Sequence, residues 1–118
     1  MSDLSIEFTS EGPAQVVRIG GELDLASAPE LTEALSKLDT STTGRLVVDL
    51  SDCEFIDSAG LAAILHGAQE LSEAGGSVRI ACPEGNLRDL LRMTAIDQSI
   101  PVVATRDEAL TALGLGAA

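Results

Sequence analysis

Residues 46–71 read LVVDLSDCEFIDSAGLAAILHGAQEL, and this stretch decides the fold. Leu46 to Leu50 is a mostly apolar run of the kind that a parallel sheet buries on both faces. From Ser58 onward Leu61, Ile64, Leu65, Ala68 and Leu71 recur at helical spacing, so a helix begins at or near Ser58 and runs to about Glu73. Ala74-Gly75-Gly76 stops it. Ser77 to Cys82 then resumes as an alternating strand with Val78, Ile80 and Cys82 on one face. A strand–helix–strand passage of this kind is a right-handed crossover between parallel strands.

Upstream, Leu4, Ile6 and Phe8 alternate with polar residues, the period of a half-buried strand. Glu11-Gly12-Pro13 breaks the chain before a second strand, Gln15 to Ile19, and the short break predicts an antiparallel hairpin. Gly20-Gly21 closes that strand and opens a loop, Glu22-Leu23-Asp24-Leu25. Ser27-Ala28-Pro29-Glu30 has the pattern of a capping box and starts a helix with Leu31, Ala34, Leu35 and Leu38 on its apolar face. Asp39 to Gly44 is a polar turn. Downstream, Pro83 opens a third helix carrying Leu87, Leu90 and Leu91, and Ile100 to Val103 makes a last short strand. Thr105-Arg106-Asp107-Glu108 repeats the capping pattern before Ala109, Leu110 and Leu113, and Gly114-Leu115-Gly116 frays the tail. The expected architecture is α/β: a five-stranded, mainly parallel mixed sheet with four helices, in the order β-β-α-β-α-β-α-β-α. It forms one domain over residues 1–118, with its core at about 4–113.

Composition narrows the function. The chain has 118 residues, 45% of them hydrophobic, so it can build a core, and only Phe8 and Phe55 are aromatic. Nineteen acidic against seven basic residues give a net charge of −12. That field repels phosphate backbones and anionic lipid heads, so neither nucleic acid nor membrane is an expected partner. Lys37, the single lysine, lies in a helical pattern with no phosphate-binding loop before it. His66, Cys53 and Cys82 are too few and too far apart for a metal site, and no cofactor or metal is expected. No disulfide framework, leader-like start or apolar span of about 18 residues is evident, which predicts a cytoplasmic protein.

Ser58 is the residue with the most chemistry in reach. As an N-cap its hydroxyl accepts a backbone N–H. As a phosphate acceptor it places an anion at a helix start, where free N–H groups and the helix dipole stabilise it. Ala59 and Gly60 are small and leave the hydroxyl accessible. A nucleophilic role fails: Ile56 stands where a G-x-S-x-G elbow needs glycine. His66, eight residues on, is about 12 Å away along the helix axis. A phosphoaspartate receiver using Asp49 or Asp57 lacks the acidic pair and the well-placed lysine that such sites need.

Four stretches carry a family resemblance: Gly21-Glu22-Leu23-Asp24, Val48-Asp49-Leu50-Ser51, Phe55-Ile56-Asp57-Ser58-Ala59-Gly60-Leu61, and Glu108-Ala109-Leu110. The chain resembles the STAS-domain anti-sigma factor antagonists, the bacterial anti-anti-sigma factors, over residues 4–113. The resemblance implies a non-enzymatic module whose unphosphorylated form binds an anti-sigma factor with serine kinase activity and frees the sigma factor. It implies phosphorylation at Ser58 to end binding and a serine phosphatase to reset it. Family members commonly carry Ser or Thr after the acceptor; here that residue is Ala59. The expected partner surface comprises the 21–27 loop, the 55–60 loop and the exposed face of the Ser58 helix. Its expected contact residues are Glu22, Asp24, Ser27, Asp57, Ser58, Ala59 and Gly60, on a monomer or weak dimer. A scaffold or regulatory STAS module in a signalling assembly or lipid-transport complex is the alternative.

Overall fold

Two long parallel strands, β2 (Ala14–Leu23) and β3 (Arg45–Ile56), carry the architecture in the computed structural model, which describes residues 4–38 and 44–114. The first strand, β1 (Ser5–Glu11), pairs antiparallel with β2 through the break at Gly12-Pro13. On the far side β3 pairs parallel with β4 (Ser77–Ala81), and β4 with the two-residue β5 (Val102–Val103). The sheet order is β1-β2-β3-β4-β5, so only the first strand is antiparallel, as the sequence predicts.

Strand alternation divides the core between the two faces of the sheet. Val17, Ile19, Val48, Leu50 and Ile80 point to one face. There they pack against α1 (Ala28–Ser36), α2 (Ser58–Glu73), α3 (Asn86–Met93) and a single turn, α4 (Ile96–Ser99). Val16, Val47 and Ala81 point to the other face and meet Ala109 and Leu113, from α5 (Arg106–Ala112) and its C-cap. A buried ion pair ties α5 down. Arg106 Nε and Nη2 donate to Asp49 Oδ2 at 3.1 and 3.0 Å, and Ser51 donates to Oδ1 from both its N–H and its hydroxyl. Burial alone would push the Asp49 carboxyl up, but the Ser51 and Arg106 hydrogen bonds outweigh it and hold it below the usual carboxylate range.

Several expectations change. The described residues contain five helices rather than four, because Ile96–Ser99 forms a turn too short to show a period. Gly20-Gly21 does not end β2. The strand continues to Leu23 through two register shifts against β3, between Arg18 and Gly20 and between Gly21 and Glu22. Glycines in strands mark such bulges as readily as they mark ends. The third helix starts at Asn86, not Pro83, after Gly85 at φ 151°, a backbone angle that suits glycine. Ser27 does not cap α1: its backbone is already helical and its hydroxyl makes no cap bond. Thr105 does cap α5, accepting from the Glu108 N–H at 3.1 Å. The polar turn at 39–43 and the tail from Leu115 lie outside the described residues.

Candidate functional site

The site is assembled where the C-terminal ends of β2 and β3 run into α1 and α2. β3 ends at Ile56 and α2 begins at Ser58, so Asp57 alone joins them. Asp57, and not Ser58, is the N-cap of α2. Its Oδ1 accepts from Gly60 N at 3.0 Å, and its Oδ2 accepts from Leu25 N at 2.9 Å. Its own N–H donates to Leu23 O at 3.1 Å. One residue thus closes the helix start and pins the segment after β2 beside it.

That segment is folded by a second carboxylate. Asp24 Oδ1 accepts from the N–H groups of Ala26 and Ser27 at 3.1 and 3.0 Å and lies 3.0 Å from the Ser27 hydroxyl. The Ser27 backbone donor and then its hydroxyl hold the Asp24 carboxyl below its ordinary value. Ser27 Oγ in turn accepts from Asp24 N and reaches Glu22 O, both at 2.9 Å. Asp24 therefore folds the turn before α1, while the Glu30 N–H that a Ser27 capping box would take goes to the Ser27 carbonyl at 2.9 Å.

Gly60 fixes the distance between the two segments. A Cβ there would lie 2.5 Å from Leu23 O and 2.8 Å from Leu23 Cγ. Glycine is required so that the first turn of α2 can press against the end of β2.

These contacts sort the expected contact residues. Glu22 and Ser58 are exposed, and Asp24, Asp57 and Ala59 half-buried, so all five reach one surface. Ser27 and Gly60 are buried and shape that surface from beneath. The 21–27 and 55–60 segments are not simple loops, since Gly21–Leu23 and Phe55–Ile56 are strand and Ser58–Gly60 is helix. Ser58 stands at the first helical position, and its hydroxyl makes no hydrogen bond among the described residues. Two apolar side chains inside the expected 21–27 and 55–60 segments, neither of them among the expected contact residues, stand out. Leu25, just beyond β2, is 76% exposed, and Phe55, next to last in β3, is 49% exposed. Leu25 sits in a turn with no hydrophobic period; its exposure follows from the Asp57 bond to its N–H.

Other candidates fall away from this surface. His66 is exposed on α2 and pairs with Glu70, its Nε2 at 3.0 Å from Oε1. Asp49 is committed to Arg106, and Asp57 to two backbone N–H groups, so neither is a receiver aspartate. Burial pushes the Cys53 thiol up to about 11 and the Cys82 thiol up as well, away from nucleophilic character. Among the described residues no group of three or more His, Cys, Asp or Glu is placed to hold a metal ion. No described helix is long and apolar enough to cross a membrane.

Fold and site together define a small α/β module with an exposed, unbonded serine hydroxyl at a helix start, framed by carboxylates and two bare apolar side chains. The STAS domain family matches residues 5–109, and the chain belongs to it. It is similar to the anti-sigma-F factor antagonist RsfB of Mycobacterium tuberculosis, 28% identical over 110 residues, covering 92% of this chain and 88% of that protein. It is also 28% identical over 94 residues to the anti-sigma-B factor antagonist of Staphylococcus aureus, covering 80% and 87% of the two chains. Among solved structures, an anti-sigma factor antagonist from Mycobacterium paratuberculosis superposes with a TM-score of 0.86 at 28% identity, covering 94% of each chain.

Proposed function

We propose that this protein is an anti-sigma factor antagonist. Its unphosphorylated form binds an anti-sigma factor with serine kinase activity and releases the sigma factor. Phosphorylation of Ser58 ends that binding, and a serine phosphatase restores it. The protein acts as a single cytoplasmic domain without catalytic activity of its own.

The observation that carries this reading is the state of Ser58. Its hydroxyl is exposed and unbonded, while Asp57 takes over the capping role that would otherwise occupy it. A kinase can therefore reach the hydroxyl without opening the fold. The phosphate formed would sit at the positive end of α2, where the dipole offsets part of its charge. It would also stand next to Asp57 and beside Leu25 and Phe55. In a partner interface built on those apolar side chains, about two added charges must be desolvated against like charge. A loss of about 3 kcal/mol weakens binding by roughly two orders of magnitude. Glu22, Asp24 and Asp57 give the surface a negative rim that suits a basic partner face. Ala59 removes a second acceptor hydroxyl, so the switch has one position.

The test is phosphopeptide mapping of protein from its native cell, followed by binding of Ser58→Ala and Ser58→Asp to the recovered kinase. Condition-dependent phosphate on Ser58 and tight binding by the alanine variant alone are expected. Equal affinity of the two variants, or an unmodified Ser58 under every condition, would overturn the reading.

A further inference from the structure

A second site lies toward the other end of α2. β5 pairs with β4 only at Ile80↔Val102 and Ala81↔Val103, which leaves the first half of β4 on an open edge. Pro101 accepts from Ile80 N at 3.0 Å but has no N–H to return to the strand. The Val78 carbonyl it leaves unserved accepts instead from Arg79 Nη1 at 2.9 Å. That bond anchors one corner of the guanidinium and leaves its other donors free.

A cleft of about 400 Å3 opens beside this edge, between the C-terminal half of α2 and the segment before β5. Leu65 is half-buried and Ala68 and Ile100 are buried, so together they give it a small apolar floor, and Gln69, Ser72, Ser77 and Ser99 are the exposed polar side chains around Arg79. Its size falls near the lower end of the range for small-molecule sites. Arg79 has no carboxylate partner among the described residues. Arg45, exposed at the start of β3, also has none among them, whereas Arg18, Lys37, Arg88, Arg92 and Arg106 each have one; Arg79 differs from Arg45 in lining the cleft. In a chain of net charge −12, a guanidinium left without a carboxylate inside a cleft is a vacant anion position.

We propose that this cleft binds a small organic carboxylate, with Arg79 taking the carboxylate and the Leu65–Ala68–Ile100 surface taking its aliphatic part. Charge selects the class. One guanidinium offsets a carboxylate and offers it a planar fork. A phosphate monoester brings nearly two charges into an acidic field with one cation to meet them. The site is distinct from the Ser58 surface, because its α2 residues, Leu65 to Ser72, lie seven to fourteen residues along the helix, about 10–21 Å from its start.

The experiment is a titration of the 15N-labelled protein with acetate, butyrate and hexanoate at constant ionic strength, with inorganic phosphate as the comparison. Saturable shifts of the Val78, Arg79, Ser99 and Ile100 amide resonances are expected. Affinity should rise about threefold to fourfold for each two methylenes added, since an open cleft covers only about half of the chain. Phosphate should leave these resonances in place. Arg79→Gln should weaken hexanoate binding at least tenfold. Gln69→Glu, an exposed change that spares the fold, should weaken it by adding a negative charge at the rim. Absence of saturable shifts, equal binding of phosphate, no dependence on chain length, or unchanged affinity in Arg79→Gln would overturn the proposal.

Discussion

Replacing Gly60 by alanine sets two opposed effects against each other, and the structure decides the sign. Alanine in a helix gains at most about 1 kcal/mol over glycine. Against this, the new Cβ would lie 2.5 Å from the Leu23 carbonyl oxygen, a backbone atom that cannot swing aside. Overpacking of this kind costs about 1–3 kcal/mol. Moving the Leu23 carbonyl also strains its hydrogen bond from Asp57 N, worth about 1 kcal/mol more. Gly60→Ala should therefore be less stable than the parent by about 1–3 kcal/mol, which for a domain of this size lowers Tm by roughly 5–10 °C. Far-UV circular dichroism is the assay of choice, since the chain has no Trp or Tyr to report by fluorescence. Ala62→Gly, at an exposed position of the same helix, measures the propensity difference alone. A Gly60→Ala variant as stable as the parent, or more stable, would refute the close approach of α2 to the end of β2.

Other substitutions test the remaining contacts. Asp57→Ala loses the α2 cap and the Leu25 anchor together and should cost about 1–2 kcal/mol in urea unfolding. Ser58→Ala should change stability by less than about 0.5 kcal/mol, because its hydroxyl holds nothing; a larger loss in the same assay would contradict the placement of the cap at Asp57. Asp49 has its folded pKa depressed, so its contribution is present above the unfolded value near 3.9 and is lost as pH falls through the folded one. Asp49→Asn should thus be destabilised by about 2–3 kcal/mol at pH 7, and urea midpoints should begin to approach the parent's below about pH 4 and converge only once pH falls below the depressed folded value. The Cys53 thiol, raised to about 11, should resist iodoacetamide at pH 8 in the folded protein and react once urea unfolds it.

The order of strands and the course of α2 are legible in the sequence because apolar periodicity is strong there. Leu61, Ile64, Ala68 and Leu71 all face the core, and Val78 and Ile80 alternate as read. The errors share a physical cause: a short polar or glycine signal has more than one partner available to it. Gly20-Gly21 reads as a stop, yet the parallel ladder to β3 carries the strand through. Ser27 and Ser58 both stand where a serine caps a helix. In each case an aspartate lies close by: Asp57, directly before Ser58, takes the Gly60 N–H, and Asp24, three residues before Ser27, ties up the Ser27 hydroxyl and N–H while the Glu30 N–H goes to the Ser27 carbonyl. Competition of this kind is settled by backbone geometry, which one sequence does not display. The placement of Leu25 is hidden for the same reason, since it depends on where Asp57 pins a segment thirty-two residues earlier in the chain.

That pin has a consequence for synthesis. The surface around Ser58 joins residues from β2, α1, β3 and α2, and neither carboxylate latch completes it alone. A nascent chain stopped after α1 carries Glu22 and Asp24 but has no Asp57 to hold Leu25 in place. The parallel pairing of β2 with β3 must close a long loop first, a slow step by contact order. On the proposed reading, a ribosome-bound fragment that ends after α1 lacks the partner surface, and competence to bind arrives only once β3 and α2 have joined it.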